Sequence, residues 1–175
     1  NLLGYGDTLS IRYGRSEGID PQVEARYAFP LTARDTILTL QYRKNDFAVV
    51  EEPFGSLDIE SESEIYGATL RHPLYRTLNQ ELALSLAAER LQTKTYLLGS
   101  PFSFSPGAKK GKSTVAALRF SQEWVRRTQT QVIAASSRFT LGMDAWGATT
   151  NRHSGVADGR FLSWLGQFQW ARRLG

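Results

Sequence analysis

Along almost the whole chain, apolar residues recur at every second position. In Thr8-Leu9-Ser10-Ile11-Arg12-Tyr13, and again from Gln22 to Tyr27, apolar and polar side chains alternate strictly. A two-residue period sends successive side chains to opposite faces of a strand. Leu9, Ile11 and Tyr13 therefore share one face, and Thr8, Ser10 and Arg12 share the other. The polar face carries full charges, which a dry core accepts only when they are paired. A wet lumen accepts them readily.

Alternation and chain breakers together predict about eight strands. They cover residues 7–14, 22–29, 36–43, 64–72, 81–96, 113–126, 131–141 and 160–173. The fifth segment, Glu81-Leu-Ala-Leu-Ser-Leu-Ala-Ala-Glu-Arg90, has helix-forming composition, but its leucines recur every second residue and would scatter around a helix. Strand is the reading favoured there. Connections after the second, fourth and sixth strands are short, while those after the third (45–63), fifth (92–112) and seventh (142–159) are long. One rim is tight and the other elaborate, as in outer-membrane barrels with short periplasmic turns and long extracellular loops.

The expectation is an all-β, antiparallel transmembrane β-barrel in the bacterial outer membrane. Arg12, Glu24, Arg26, Arg43, Arg71, Glu89, Arg119, Glu123, Arg138 and Arg173 are expected to face the lumen. Tyr13, Tyr27, Tyr42, Tyr66, Phe120, Trp124, Trp164, Phe168 and Trp170 are expected to face lipid, those near strand ends forming interfacial girdles. The rival is ordinary packing of these aromatics inside a soluble sandwich.

Composition changes the picture little. The 175 residues are 41% hydrophobic and 22% charged, which suits a soluble domain and equally a barrel that shows lipid only half of each strand. No apolar run approaches the roughly 20 residues of a membrane helix. The start, Asn1-Leu-Leu-Gly-Tyr-Gly-Asp7, has no basic or apolar leader, so the expected product is mature, trimmed or a fragment. Without cysteine there are neither disulfides nor thiolate chemistry. The formal charge of +4 is spread along strands, which argues against nucleic acid, and only Lys109, Lys110 and Lys112 cluster. A basic outer loop of that kind would meet lipopolysaccharide phosphates.

Candidate chemistry is sparse. Gly107-Ala-Lys-Lys-Gly111-Lys112-Ser113 has three residues between its glycines where a phosphate loop has four, and it precedes a strand. His153, Ser154 and Asp158 share one loop and are the residues an ester hydrolase would use, but there is no Gly-x-Ser-x-Gly elbow around the serine. Glu51-Glu52 reads as a solvated loop. No metal site and no cofactor are expected.

Three stretches resemble a known family. They are Asn1-Leu-Leu-Gly-Tyr-Gly-Asp-Thr-Leu-Ser10; Leu70-Arg-His-Pro-Leu-Tyr-Arg-Thr77 followed by Asn79-Gln-Glu-Leu82; and Asp158-Gly-Arg-Phe-Leu-Ser-Trp-Leu-Gly-Gln-Phe-Gln-Trp170. In this order they resemble the barrel of two-partner secretion transporters, the haemolysin-secretion and filamentous-haemagglutinin type of the Omp85 superfamily. The resemblance implies a sixteen-stranded barrel behind two periplasmic POTRA domains, exporting one secreted exoprotein without nucleotide hydrolysis. Residues 1–175 would be its middle half, without POTRA segments and without the family's Val-Arg-Gly loop.

Eight strands also suffice for the smallest closed outer-membrane barrel. That closure would pair residues 7–14 with 160–173 and crowd an arginine excess into a narrow lumen. A wider barrel, or two copies joined at open strand edges, relieves the excess. The alternatives to a transport segment are a small barrel with esterase activity at its loops and a structural or adhesive barrel.

Overall fold

A computed structural model describes residues 4–16, 19–48, 57–104, 108, 110–150 and 158–173. The described residues are strands and connections, without α-helix. The strands are β1 (Thr8–Ser16), β2 (Ile19–Pro30), β3 (Ile37–Ala48), β4 (Ile59–Arg76), β5 (Gln80–Leu97), the two-residue β6 (Ser100–Pro101), β7 (Lys112–Arg127), β8 (Gln131–Met143) and β9 (Leu162–Arg172). All join one antiparallel sheet in the order β1-β2-β3-β4-β5-β7-β8-β9, with β6 pairing back onto β5. The helix-prone segment from Glu81 is strand throughout. Its alternating leucines line one face, as the period required.

Several strands run beyond the alternating region. β4 and β5 have 18 residues each, and β3 continues to Ala48 through part of the expected long loop. There Asp46 pairs with Glu62 and Ser63 with Asn45, so polar residues occupy both faces. Alternation fades where neither face needs oil, while the backbone ladder continues. Of the short connection expected between residues 72 and 81, the part as far as Arg76 is also strand, with the reversal made by 77–79.

Three tight connections gather at one end of the sheet. Thr77 N donates to Gln80 O and Thr128 N to Gln131 O, both at 2.8 Å, and each threonine hydroxyl donates to the same carbonyl. Leu31 N donates to Thr36 O at 2.7 Å, around an Asp35 with positive φ. The connections at the other end are longer.

The sheet has a single layer. Among the described residues the buried hydrophobic side chains are only Ala83, Ala116 and Ala117, while Ile11, Leu162 and Phe168 are 70% exposed or more. A soluble sandwich would bury such residues between two sheets. This arrangement leaves its aliphatic and aromatic face uncovered, and the sandwich rival has no facing layer. Closure of the eight long strands on themselves is not made either. β1 pairs only with β2 and β9 only with β8, so both outer edges lack a strand partner among the described residues.

The charged face of the sheet as candidate functional site

Register sorts the side chains into two sets. Arg12, Glu24 and Arg43 lie in one row across β1, β2 and β3, since Arg12 is opposite Glu24 and Glu24 opposite Arg43. Following the ladder puts Arg26, Arg71, Glu89, Arg119, Glu123 and Arg138 on that same face. Tyr13, Tyr27, Tyr42, Tyr66, Phe120, Trp124, Trp164, Phe168 and Trp170 fall on the opposite face. Arg173 follows the last residue of β9, and its amide donates to Thr130 O at 2.8 Å.

The charges of the first face are organised as ladders. Glu24 is shared by Arg12 at 3.1 Å and Arg43 at 3.4 Å. Arg119 grips Glu89 through two parallel N–H bonds of 3.0 Å. Near the tight-turn end, Glu81 accepts from Arg71 and, at 2.9 Å, from Arg76. Arg76 also reaches Asp35 at 2.6 Å, and Arg71 lies 3.9 Å from Glu123. Among the described residues Arg138 reaches only the Ser121 hydroxyl, at 3.3 Å, and Arg26 makes no ion pair. A cavity of 530 Å3 opens beside this cluster, lined by Arg71, Arg76, Glu81, Glu123, Gln167 and Gln169.

Arg76, Glu81 and Asp35 were missed by the sequence reading, and a β-bulge explains the first. The register slips between Pro73 and Tyr75, so the chain spends an extra residue at Leu74. A bulge inverts the parity of everything beyond it. Arg76, which plain alternation assigns to the oily face, thereby joins Arg71 beside Glu81. Glu81 was legible, since it lies eight residues before Glu89 on the same strand and hence on the same face.

The opposite face holds its polar groups in hydrogen bonds. Trp164 Nε1 donates to Ser137 Oγ at 2.9 Å and Trp170 Nε1 to Gln131 Oε1 at 3.3 Å. His72 Nδ1 meets Thr36 Oγ1 at 2.8 Å, and Tyr27 Oη donates to Asp7 at 3.0 Å. The rings of Tyr42 and Tyr66 pack with centroids 5.0 Å apart and planes tilted by 45°.

The loop chemistry finds little support. His153, Ser154, Lys109 and the Glu51-Glu52 pair lie outside the described residues. Asp158, the third member of the hydrolase set, is bound by Arg160 at 2.7 Å through one carboxylate oxygen, while the other accepts the Arg160 amide at 3.1 Å. That carboxylate raises the Arg160 guanidinium pKa further. In the phosphate-loop lookalike, Gly111 has φ +72 and packs so tightly that a Cβ would stand 2.4 Å from Thr95 O; strand β7 follows at Lys112. A helix N-terminus, the usual seat of the phosphates, is not there.

A single antiparallel sheet with an ion-laddered face and an uncovered aromatic face is the wall of a β-barrel. The chain belongs to the haemolysin secretion/activation protein family ShlB/FhaC/HecB, whose family model matches residues 1–175. The family is one of bacterial outer-membrane transport proteins. No similar sequence was found among curated proteins. Among solved structures, CdiB from Escherichia coli superposes on 93% of this chain with a TM-score of 0.73 at 17% identity, a likeness of fold. The chain spans 30% of the length of that structure.

Proposed function

We propose that residues 1–175 form part of the wall of an outer-membrane pore that exports a secreted partner protein by two-partner secretion, without nucleotide hydrolysis. The observation that carries this reading is the family match over the whole chain, on a sheet whose two faces differ as a pore wall's must. In this reading the charged face lines the lumen and the aromatic face meets lipid. The ladders centred on Glu24, Glu81 and Glu89 hold lumen cations in place, and Arg26 and Arg138 remain available to water and to the passing chain.

The geometry of the outer face fits a bilayer. On β5, from Leu82 to Arg90, the outward residues are Leu82, Leu84, Leu86 and Ala88 before the arginine. Those eight steps cover roughly 26 Å of strand, or about 20 Å of height at a ~40° tilt, close to the apolar band of outer-membrane barrels. Above Arg90 the outward face turns polar, with Lys44, Glu64, Gln92, Glu62 and Lys94. The tight turns lie at the periplasmic end and the long connections outside. Lys110 and Lys112, with Lys109, meet lipopolysaccharide phosphates there. The open edges of β1 and β9 require partners, since unpaired strand groups are costly in hydrocarbon. Further strands of a wider barrel supply them, or a second copy does when the segment is isolated.

The test is deletion of the gene, with the culture medium assayed for secreted proteins. Loss of one large exoprotein from the medium, restored by complementation, is the expected result. An unchanged set of secreted proteins overturns the export reading.

A further inference from the structure

We propose that the outer face carries a built site for a phosphorylated acyl glycolipid, the lipid anchor of lipopolysaccharide, centred on Arg90. The proposal rests on the membrane-facing assignment of that face made above. It places the principal lipid contact on the barrel wall, with the lysine loop only at its upper margin.

Arg90 stands where the oily rows end. Its register neighbours are Tyr66 on β4 and Ala116 on β7, and the Tyr66 ring packs at a 45° tilt against Tyr42. Tyrosines at this height mark the membrane interface. A guanidinium has five N–H donors. Arg90 gives one to the Trp146 carbonyl at 2.9 Å and one to Gln92 Oε1 at 3.0 Å, and it makes no ion pair among the described residues. Three donors remain. Glu64, one row higher on β4, is the nearest acid by register on this face, and no ion pair joins it to Arg90.

Below and beside the arginine lies a groove of 460 Å3. From this face Ala68 and Ala88 supply small residues and Leu40, Tyr66 and Trp146 large ones, while Gln41, Gly67 and Glu89, which belong to the opposite face by register, also border it. Small residues flanked by large ones leave a shallow, open, mainly apolar trough, of a volume within the ~300–1,000 Å3 of ligand sites. The wall at Trp146 is deliberately placed. Trp146 and Gly147 both have positive φ, of 51° and 77°. For a bulky residue this is an uncommon backbone, kept only where surrounding contacts impose it. Here Arg90 holds the Trp146 carbonyl, while Thr149 exchanges hydrogen bonds of 2.7 and 2.9 Å with the backbone of Thr114.

The same loop roofs a second, polar cavity of 280 Å3, lined by Lys112, Thr114 and residues 147–150. Lys112 is exposed and makes no ion pair among the described residues. It lies four residues above Ala116 on β7, about 13 Å up the strand from the Arg90 row. Acyl trough, unpaired guanidinium at the interface, then hydroxyls and an unpaired ammonium above make one continuous sequence. It matches a molecule with acyl chains, a sugar and phosphates at two places. A free phosphate would leave the trough empty, and a zwitterionic phospholipid would bring one phosphate, already balanced by its own ammonium, to two cations set about 13 Å apart along the strand.

The test uses the full-length protein purified from outer membranes in detergent and native mass spectrometry. The probes are diphosphoryl lipid A, its dephosphorylated form, phosphatidylethanolamine and acyl-free glucosamine phosphate. Wild type is compared with Arg90→Gln, Lys112→Gln and Ala88→Leu, the last filling the trough, and heat-modifiability on gels checks that each variant is folded. The expected result is retention of diphosphoryl lipid A by wild type, with about tenfold loss in Arg90→Gln, in keeping with one charge-assisted contact, and a clear loss in Ala88→Leu through steric filling of the trough. A smaller loss is expected in Lys112→Gln, which sits outside the membrane and should fold in any case. Binding of diphosphoryl lipid A no tighter than that of its dephosphorylated form, of phosphatidylethanolamine or of the acyl-free phosphate, or equal binding by wild type and all variants, overturns the site while leaving the membrane-facing assignment standing. Retention of no lipid of any class overturns that assignment too.

Discussion

Arg119 on β7 and Glu89 on β5 face each other diagonally across the ladder and join through two N–H···O bonds of 3.0 Å each. Parallel bonding of this kind fits the planar guanidinium fork to a carboxylate and is stronger than a single ionic contact. Both side chains are only about one-quarter to one-third exposed, so solvent screens them less than a surface pair. A double-mutant cycle with Glu89→Gln and Arg119→Met, read by urea unfolding of the folded protein, should give a coupling energy of about 1 kcal/mol. A coupling of zero would mean that the pair contributes nothing beyond its two separate desolvations.

Adjacent residues on β4 test the two faces directly. Leu70 lies in the middle of the oily rows, beside Leu38 and Leu86, and Thr69 faces the other way. Leu70→Arg should cost roughly 2–4 kcal/mol, as for a lipid-facing charge near the bilayer midplane, and Thr69→Arg much less. Unfolding titrations in vesicles measure both. Equal costs would contradict the assignment of lipid to the aromatic face.

A chain without cysteine accepts single reporter cysteines without background. Asn79→Cys lies in a tight turn and Ala145→Cys in the long connection between β8 and β9. On intact cells a membrane-impermeant maleimide should label position 145, and position 79 only after the outer membrane is permeabilised. The opposite labelling would invert the topology and move the Arg90 site to the inner leaflet.

Gly142 pins β8 to the chain entering β9. A Cβ there would stand 2.2 Å from Gly159 O and 2.4 Å from the Phe161 ring, while its amide already donates to Phe161 O at 2.7 Å. The carbonyl is backbone and has little room to yield. Gly142→Ala should therefore destabilise the folded state by about 1–3 kcal/mol through overpacking. Gly14→Ala, where nothing lies within 4 Å of the added carbon, serves as the control. Indistinguishable melting of the two variants would show that the β8–β9 junction opens at no cost.

Much of this architecture could be read from the chain itself. A period of two leaves no freedom about which side chains share a face, so the sets around Glu24 and Phe168 follow from alternation alone. Alternation also outweighed the helix propensity of Glu81 to Arg90, because a face that must meet oil selects the period that assembles it. The same logic failed where the oily face ended. Beyond Lys44 and Glu64 both faces are polar and the strands look like loop, yet the ladder continues because each backbone N–H still needs a carbonyl.

What the sequence determined by itself is the two-faced strand, its approximate count and the rim that carries the long connections, since all three depend on local periodicity and turn chemistry. Only the tertiary structure decided which charges meet. A bulge at Leu74 turned Arg76 toward Glu81, register set the diagonal of Arg119 and Glu89, and a strained loop 56 residues along the chain brought Trp146 to Arg90. Such meetings depend on strand order and on single-residue slips, and neither leaves a local pattern to read. The eight long strands stand as an open wall for the same reason. Their number permits closure, but pairing of β1 with β9 is a property of the whole sheet.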